Sequence, residues 1–301
     1  MSITVKTKIF SVLVVSALLA GCGGAPEPTP EPTQTIFSYE EFSRVDGSTV
    51  TLPLSVALAN STVLAADNIK HNTTHEAYLN LIAGKADIIF VTYPSDDELR
   101  LAQEANIELE ITPVVNDAFV FLVNKNNPVQ GLTSDQIRKI YNGQINNWSA
   151  VGGARTPIRA LQRDADSGSQ AGMLRFMQNE KLSAPPLDNV STGMEGLVTE
   201  IASIDGAEDS IGYSYYFYVN SMYVRDNIKM LAVDGVAPSV TTIQSGQYPH
   251  ITPYYAVFRK SEPENSFARR LTNFVLSAQG QLLAENAGYV RIPQPPRIVT
   301  Q

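Results

Sequence analysis

A cation, two hydroxyl groups and a glycine lie close together in the segment Arg163-Asp164-Ala165-Asp166-Ser167-Gly168-Ser169. An arginine can hold an oxyanion through two parallel hydrogen bonds, and serine hydroxyl groups can donate further ones. Gly168 lets the backbone approach a ligand closely, and the helical pattern that follows would turn free N–H groups towards an anion. The alternative interpretation is a solvated charged loop. This segment, the third loop, is the strongest candidate for an anion-binding site.

Two earlier segments also place hydroxyl groups directly before a helical pattern. The first loop is Asp46-Gly47-Ser48-Thr49-Val50-Thr51-Leu52-Pro53, and the second loop is His71-Asn72-Thr73-Thr74-His75-Glu76. Free N–H groups and the dipole at a helix start favour a small anion. The same residues also fit ordinary helix caps, with a serine or threonine in the first loop and Thr73 answered by Glu76 in the second. Both interpretations stay open for these two loops.

Metal binding and nucleophilic catalysis fit the sequence poorly. His71 and His75 are four residues apart, but a zinc-binding helix would need a glutamate beside the first histidine and a third ligand. A nucleophilic Ser167 or Ser169 would need an adjacent base, and neither serine lies in a G-x-S-x-G motif. His75 or His250 would reach them only through the fold. We therefore expect no metal, no cofactor and no enzymatic activity.

The elements that must position these loops alternate between strands and helices. Apolar runs over 86–91, 118–123 and from residue 211 predict buried strands, while 133–141 and 263–284 have helical patterns. This alternation predicts an α/β fold with a mainly parallel sheet. In such sheets ligands bind at the carboxyl ends of strands, where loops lead into helices.

Composition excludes several classes of protein. The chain has 301 residues, 44% of them hydrophobic, a formal charge of −8, one cysteine and three histidines. The apolar content predicts a folded core, and the length allows two domains. A single cysteine excludes a disulfide framework. The acidic balance argues against a nucleic-acid partner, because phosphate backbones recruit basic surfaces.

The amino terminus has the pattern of a targeting segment. Residues 1–21 combine two lysines with an apolar run that is shorter than the about 20 residues of a membrane-spanning helix, which predicts a signal peptide. The run ends in Leu19-Ala20-Gly21-Cys22, which resembles a bacterial lipobox and implies cleavage before Cys22 and lipid attachment to its sulfur. An ordinary signal peptide or an uncleaved anchor is the alternative. Residues 22–35 alternate Pro, Glu and Thr and predict an extended tether.

The order and spacing of these motifs resemble the phosphate-binding proteins of bacterial high-affinity phosphate ABC importers, within the type II periplasmic-binding-protein group. The strongest match is Arg163-x-x-x-Ser167-Gly168-Ser169. The next is the stretch Ile140-Tyr141-Asn142-Gly143-Gln144-Ile145-Asn146-Asn147-Trp148, and the resemblance runs from about Asp46 to Ile292. Shorter landmarks are Asp46-Gly47-Ser48-Thr49, Ile211-Gly212-Tyr213, Gly280-Gln281 and Ala287-Gly288-Tyr289-Val290.

The resemblance implies a two-lobed receptor that captures inorganic phosphate and delivers it to an ABC permease of the inner membrane. It implies one lobe of residues 36–117 with 233–301 and a second of 118–232, with crossings near 114–118 and 231–242. We expect a monomer that is extracytoplasmic and lipid-anchored. The implied phosphate contacts, all in the three loops, are Ser48, Thr49, Val50, Thr74, Arg163, Ser167, Gly168 and Ser169.

One further position of the implied site departs from the family. Many members have an aspartate just after the strand at 87–91, where it accepts a hydrogen bond from protonated phosphate, and this chain has Thr92 there. A hydroxyl group donates or accepts and carries no charge, so it would not repel sulfate. A receptor for sulfate, molybdate or tungstate is therefore an alternative function. A sensor or surface protein on the same fold is another.

Overall fold

The computed structural model describes residues 37–62, 69, 71–178, 180–203 and 207–292, so the expected signal peptide, tether and Cys22 lie outside the described residues. The strands are β1 (Val45–Gly47), β2 (Ile88–Val91), β3 (Leu109–Asn124), β4 (Gly131–Leu132), β5 (Arg159–Ala160), β6 (Gln162–Arg163), β7 (Val190–Ser191), β8 (Ser210–Tyr215), β9 (Ile228–Met230), β10 (Ala232–Val233) and β11 (Ile251–Arg259). The helices are α1 (Tyr39–Phe42), α2 (Leu52–Thr62), α3 (Thr74–Ile82), α4 (Asp96–Glu104), α5 (Ser134–Tyr141), α6 (Gly168–Met177), α7 (Gly193–Ala202), α8 (Val240–Gln244), α9 (Phe267–Leu276) and α10 (Ala278–Asn286). The predicted α/β class is confirmed.

The long strand β3 runs through the whole sheet and joins its two halves. Its first part pairs antiparallel with β11 as far as Ala118, and its last part pairs antiparallel with β8 and β9 from Phe119 onward. The strand order is β1-β2-β11-β3-β8-β5, with β9 also on β3. Only β1–β2 and β5–β8 are parallel pairs within this sheet. The expectation of a mainly parallel sheet is therefore wrong, because the strands that join the halves reverse the chain direction.

Residues 231–242 do not form one crossing strand. They contain the two-residue strand β10, which pairs with β4, and the start of α8. This segment and the one after it stay close to α5, because Ser134 Oγ lies 2.6 Å from a carboxylate oxygen of Asp234 and 2.7 Å from His250 Nε2. The chain comes back to pair with the first part of β3 only in β11, which begins at Ile251 opposite Ala118.

The helical pattern over 263–284 is two helices and not one. Ser277 has an extended backbone, and its hydroxyl group accepts a hydrogen bond from the Gly280 amide at 3.1 Å, so it ends α9 and caps α10. A side chain at Gly280 would place its Cβ 2.1 Å from the Phe274 carbonyl oxygen. Glycine therefore allows the chain to fold tightly at this break, which periodicity alone cannot reveal.

Asp117 lies on β3 where the two halves of the sheet meet, and its carboxylate is buried. It accepts hydrogen bonds from the Ala118 amide at 2.8 Å, the Phe217 amide at 3.0 Å and the Tyr254 hydroxyl group at 2.5 Å. Burial raises the pKa of Asp117 to about 7, although the three donors favour the ionised form and lower it. Residues from both halves therefore meet on one carboxylate.

Asp117→Asn should remove a pH-dependent part of the stability. The raised pKa means that the folded protein keeps a proton which the unfolded chain releases near pH 4, so this group costs stability as the pH rises to about 7 and no more above it. Between pH 5 and pH 8, the free energy of unfolding should fall by about 2 kcal/mol more for the parent than for the variant. Urea denaturation at both pH values measures this, and an equal fall in both proteins would contradict it.

Candidate anion-binding site

The first loop leads from β1 through a 3-10 turn at Thr49–Thr51 into α2. Ser48 occupies the cap position, but its hydroxyl group pairs with Thr51 Oγ1 at 3.3 Å and does not cap the turn. The Ser48 amide donates to the Phe90 carbonyl oxygen at 3.0 Å, which fixes the loop against the end of β2. Thr49 and Val50 begin the helical segment, where amide groups have no intrahelical acceptor.

The buried carboxylate of Asp46 joins the first loop to the second. It accepts hydrogen bonds from the amides of Gly47 at 2.7 Å and Asn72 at 3.0 Å. Its other oxygen accepts from the side-chain amides of Asn72 at 2.8 Å and Asn80 at 2.9 Å. These four donors satisfy the carboxylate, which therefore fixes the relative position of the two loops.

The imidazole of His71 braces the same junction from the other side. Its Nδ1 lies 2.9 Å from the Ser48 carbonyl oxygen and its Nε2 lies 3.0 Å from Ser55 Oγ. A carbonyl can only accept, so Nδ1 carries the hydrogen. Burial lowers the pKa of His71, which favours this neutral ring. A Cβ on Gly47 would lie 2.7 Å from the ring, so glycine is needed for this approach.

The second and third loops meet at Gly168. A Cβ at this position would lie 2.6 Å from Thr74 Oγ1 and 3.1 Å from Thr92 Oγ1, so both hydroxyl groups lie beside the start of α6. Thr74 and Thr92 are buried. Thr92 Oγ1 has no hydrogen-bond partner among the described residues, whereas buried polar atoms normally have one. Thr92 therefore places a buried polar atom at the contact between the second and third loops.

Arg163 supplies a buried positive charge in the third loop, five residues before Gly168. Its side chain is 5% exposed, its Nε donates to the Ser191 carbonyl oxygen at 3.1 Å, and one terminal nitrogen lies 3.6 Å from Asp164 Oδ1. Burial lowers the pKa of Arg163 while Asp164 opposes that shift, and a guanidinium stays charged in proteins. Its own amide donates to the Tyr213 hydroxyl group at 3.0 Å. The cation is thus fixed from both its backbone and its side chain.

The third loop ends as the first turn of α6. Ser167 caps this helix by accepting from the Gln170 amide at 3.0 Å, and Ser169 is buried. The Tyr215 hydroxyl group donates to the Gly168 carbonyl oxygen at 2.9 Å. A ten-residue helix therefore starts at the Arg163 loop with its positive dipole end towards the loops.

The structure thus brings Thr74, Thr92 and Gly168 into direct contact and links the first loop to them through the second. Sequence reasoning missed the residues that hold the loops in place, namely Asp46, Asn80, Gln170, Ser191, Tyr213 and Tyr215. The sequence offers one weak signal for them, an aspartate directly before the glycine of the first loop. The other residues lie far along the chain from the groups they fix.

Neither a metal site nor a membrane-spanning helix occurs within the described ranges. No group of three His, Cys, Asp or Glu side chains there is arranged to hold a metal ion. No helix in that part of the chain is both long and apolar enough to cross a bilayer. The polar groups of the site are amides, hydroxyl groups and one guanidinium, which suit an anion.

Comparison with known proteins gives the same class of fold. The family model of the PBP superfamily domain matches residues 36–279. The phosphate-binding protein PstS of Staphylococcus haemolyticus is 25% identical over 294 residues, which cover 94% of this chain and 91% of that protein. Two solved structures superpose with TM-scores of 0.66 and 0.63, at 23% and 22% identity, covering 83% of this chain and 98% and 99% of theirs. The first is a substrate-binding protein assigned to a phosphate ABC transporter of Clostridium perfringens, with bound phosphate, and the second is an ABC-type phosphate transport receptor from Vibrio cholerae.

These likenesses define a two-lobed binding protein of the type II periplasmic-binding-protein fold, as the sequence predicts. The chain belongs to the PBP superfamily, whose model covers well over half of its residues.

Gly168→Ala should force the second and third loops apart. The added Cβ would meet Thr74 Oγ1 at 2.6 Å, and such overpacking costs about 1–3 kcal/mol of unfolding free energy. Thr74→Ala in the same chain removes the clashing atom and should recover part of the loss. Gly196→Ala is the control, because its nearest neighbour atom would be 3.7 Å away. Urea denaturation measures all four proteins, and equal stability of Gly168→Ala and Gly196→Ala would contradict the close approach.

Proposed function

We propose that this protein is an extracytoplasmic receptor that captures inorganic phosphate between two lobes and delivers it to an ABC permease. The observation that supports the proposal is the contact of the Thr74 and Thr92 hydroxyl groups with the start of α6 at Gly168, in the loop that also contains the buried Arg163. The homology to phosphate-binding proteins supports the same ligand. Lipid attachment at Cys22 and a monomeric state are parts of this proposal that rest on the sequence.

The proposed contacts divide between charge and hydrogen bonding. Arg163 supplies the full positive charge, and the helix start at Gly168 and Ser169 supplies amide donors and the positive dipole end. The hydroxyl groups of Thr74 and Thr92 supply further donors, and the Thr49 and Val50 amides complete the first loop. Ser48 would donate to the ligand by giving up its contact with Thr51 Oγ1. The Ser167 hydroxyl group already accepts a hydrogen bond from the Gln170 amide. Ser167 would therefore contribute through its own amide, or by shaping the start of α6 as its cap.

Closure of the lobes is proposed to occur around β3 and β11. The expected lobes are 36–117 with 233–301 and 118–232, but contacts of Asp234 and His250 with Ser134 favour a second crossing at Ile251. Arg175 of α6, in the second expected lobe, donates to the Tyr93 carbonyl oxygen of the first expected lobe at 3.2 Å. This contact between an α6 side chain and the segment after β2 would form when the lobes close.

We propose no chemical step on the ligand. A nucleophilic serine needs a base within hydrogen-bond distance. The Ser167 hydroxyl group bonds to a backbone amide, His75 faces Glu98, and His250 faces Ser134 and Asp234. These arrangements favour a receptor over a hydrolase.

A receptor for another tetrahedral oxyanion is the second candidate, and the observation that favours it is Thr92. A carboxylate at this position would repel a fully ionised anion. The Thr92 hydroxyl group is uncharged and can form a hydrogen bond with either a protonated or a fully ionised oxyanion. Asp164 lies 3.6 Å from Arg163 and is the nearest acid to that cation. The ratio of the affinities for phosphate and sulfate distinguishes the two candidates.

Arg163→Lys should weaken phosphate binding by at least about tenfold, because lysine keeps the charge but loses the planar fork that binds two oxygens at once. Arg159→Lys is the matched control. It lies on β5, four residues before Arg163, and its guanidinium faces Glu200. Calorimetric titration of both variants and the parent with phosphate measures the effect. Equal affinity of Arg163→Lys and the parent would remove Arg163 from the site.

A further inference from the structure

Three buried tyrosine rings are in contact where the halves of the sheet meet. Tyr254 of β11 lies in the middle, with its ring centroid 5.6 Å from that of Tyr215 and 6.1 Å from that of Tyr289. The exposed fractions of the three side chains are between 0% and 3%. The ring of Phe217 stacks on Tyr289 with a centroid distance of 4.0 Å. The three rings thus form a continuous chain across the junction, which we call the tyrosine relay.

Each end of the tyrosine relay holds the backbone of a different loop. The Tyr289 hydroxyl group donates to the Val50 carbonyl oxygen of the first loop at 2.6 Å. The Tyr215 hydroxyl group donates to the Gly168 carbonyl oxygen of the third loop at 2.9 Å. The central Tyr254 hydroxyl group donates to the Asp117 carboxylate at 2.5 Å. Both loops are therefore hydrogen-bonded to tyrosines whose rings pack on Tyr254, which is itself hydrogen-bonded to Asp117 on β3.

Holding a carbonyl oxygen also directs the amide of the next residue. The peptide unit is planar and trans, so its C=O and N–H groups point in opposite directions. Tyr215 holds the Gly168 carbonyl oxygen and so fixes the direction of the Ser169 N–H, one of the amides at the start of α6. Tyr289 fixes the first turn before α2 in the same way, through the Val50 carbonyl oxygen.

The hydroxyl groups are donors at any ordinary pH. Burial raises the pKa of Tyr215 to about 12 and raises the pKa of Tyr254 and Tyr289 well above the usual value for tyrosine. The groups that face Asp117 are these tyrosines, the neighbouring Tyr216, and the amides of Ala118 and Phe217.

We propose that Tyr215, Tyr254 and Tyr289 are positioning residues that align the two anion-binding loops from the junction of the lobes. The effect that we expect on phosphate affinity rests on the function proposed above. It goes beyond that function because none of the three side chains is expected to touch the ligand. It also predicts that the three tyrosines order the first and third loops in the ligand-free protein.

The first test is amide hydrogen exchange of the ligand-free protein. Tyr289→Phe removes one hydroxyl group and should speed exchange in the first loop alone, while Tyr215→Phe should speed it in the third loop alone. Tyr254→Phe removes the hydrogen bond to Asp117 that holds the central ring, so exchange should speed up in both loops, whose tyrosines pack on that ring. The control is Tyr248→Phe, a buried tyrosine whose hydroxyl group donates to the Phe119 carbonyl oxygen at 3.0 Å and to neither loop.

The second test is calorimetric titration of the same variants with inorganic phosphate. Each relay variant should bind phosphate about fivefold more weakly, the usual effect of one hydrogen bond, and Tyr248→Phe should bind like the parent. Affinities or loop exchange rates no more affected than in Tyr248→Phe would overturn the proposal, and so would a Tyr254→Phe effect confined to one loop. A parent that binds no phosphate would refute the proposed function, and the exchange pattern would then decide the relay alone.

Discussion

A small anion leaves water only where fixed donors and positive charge replace its hydration shell, and this constraint governs the site. The chain as a whole cannot attract an anion, since 30 acidic residues outnumber 22 Lys and Arg. Attraction must therefore be local. Arg163 is buried with part of its guanidinium already engaged, and the remaining donors are amides at helix starts and hydroxyl groups. Such donors work only if their direction is fixed before the ligand arrives.

The need to fix the direction of the donor groups explains why so many buried polar side chains surround the loops. Asp46 and His71 join the first two loops, and Tyr213 and Ser191 hold Arg163. Asp117 does the same where the lobes meet, because its three donors come from β3, from β11 and from the chain after β8. A buried carboxylate without these donors would be strongly destabilising. The same network can therefore serve both stability and alignment.

The sequence predicts the three loops because their side-chain types and the helices behind them are local features. Thr73 caps α3, as its spacing from Glu76 predicts, by accepting a hydrogen bond from the Glu76 amide. The supports could not be predicted: Asp46 bonds to residues 26 and 34 positions away, and Tyr289 to one 239 positions away. The break at Ser277 and the antiparallel direction of β11 were not predicted for a related reason. Both depend on tertiary contacts that override a periodic pattern.

The most direct test is calorimetric titration of the ligand-stripped protein with phosphate, repeated with sulfate present in excess. The account predicts one phosphate bound per chain with a dissociation constant of about 1 µM or lower, and a melting temperature that rises with phosphate concentration. Strong competition by sulfate would favour the less selective oxyanion receptor that Thr92 allows. No heat of binding and no change in melting temperature with millimolar phosphate or sulfate would contradict the account.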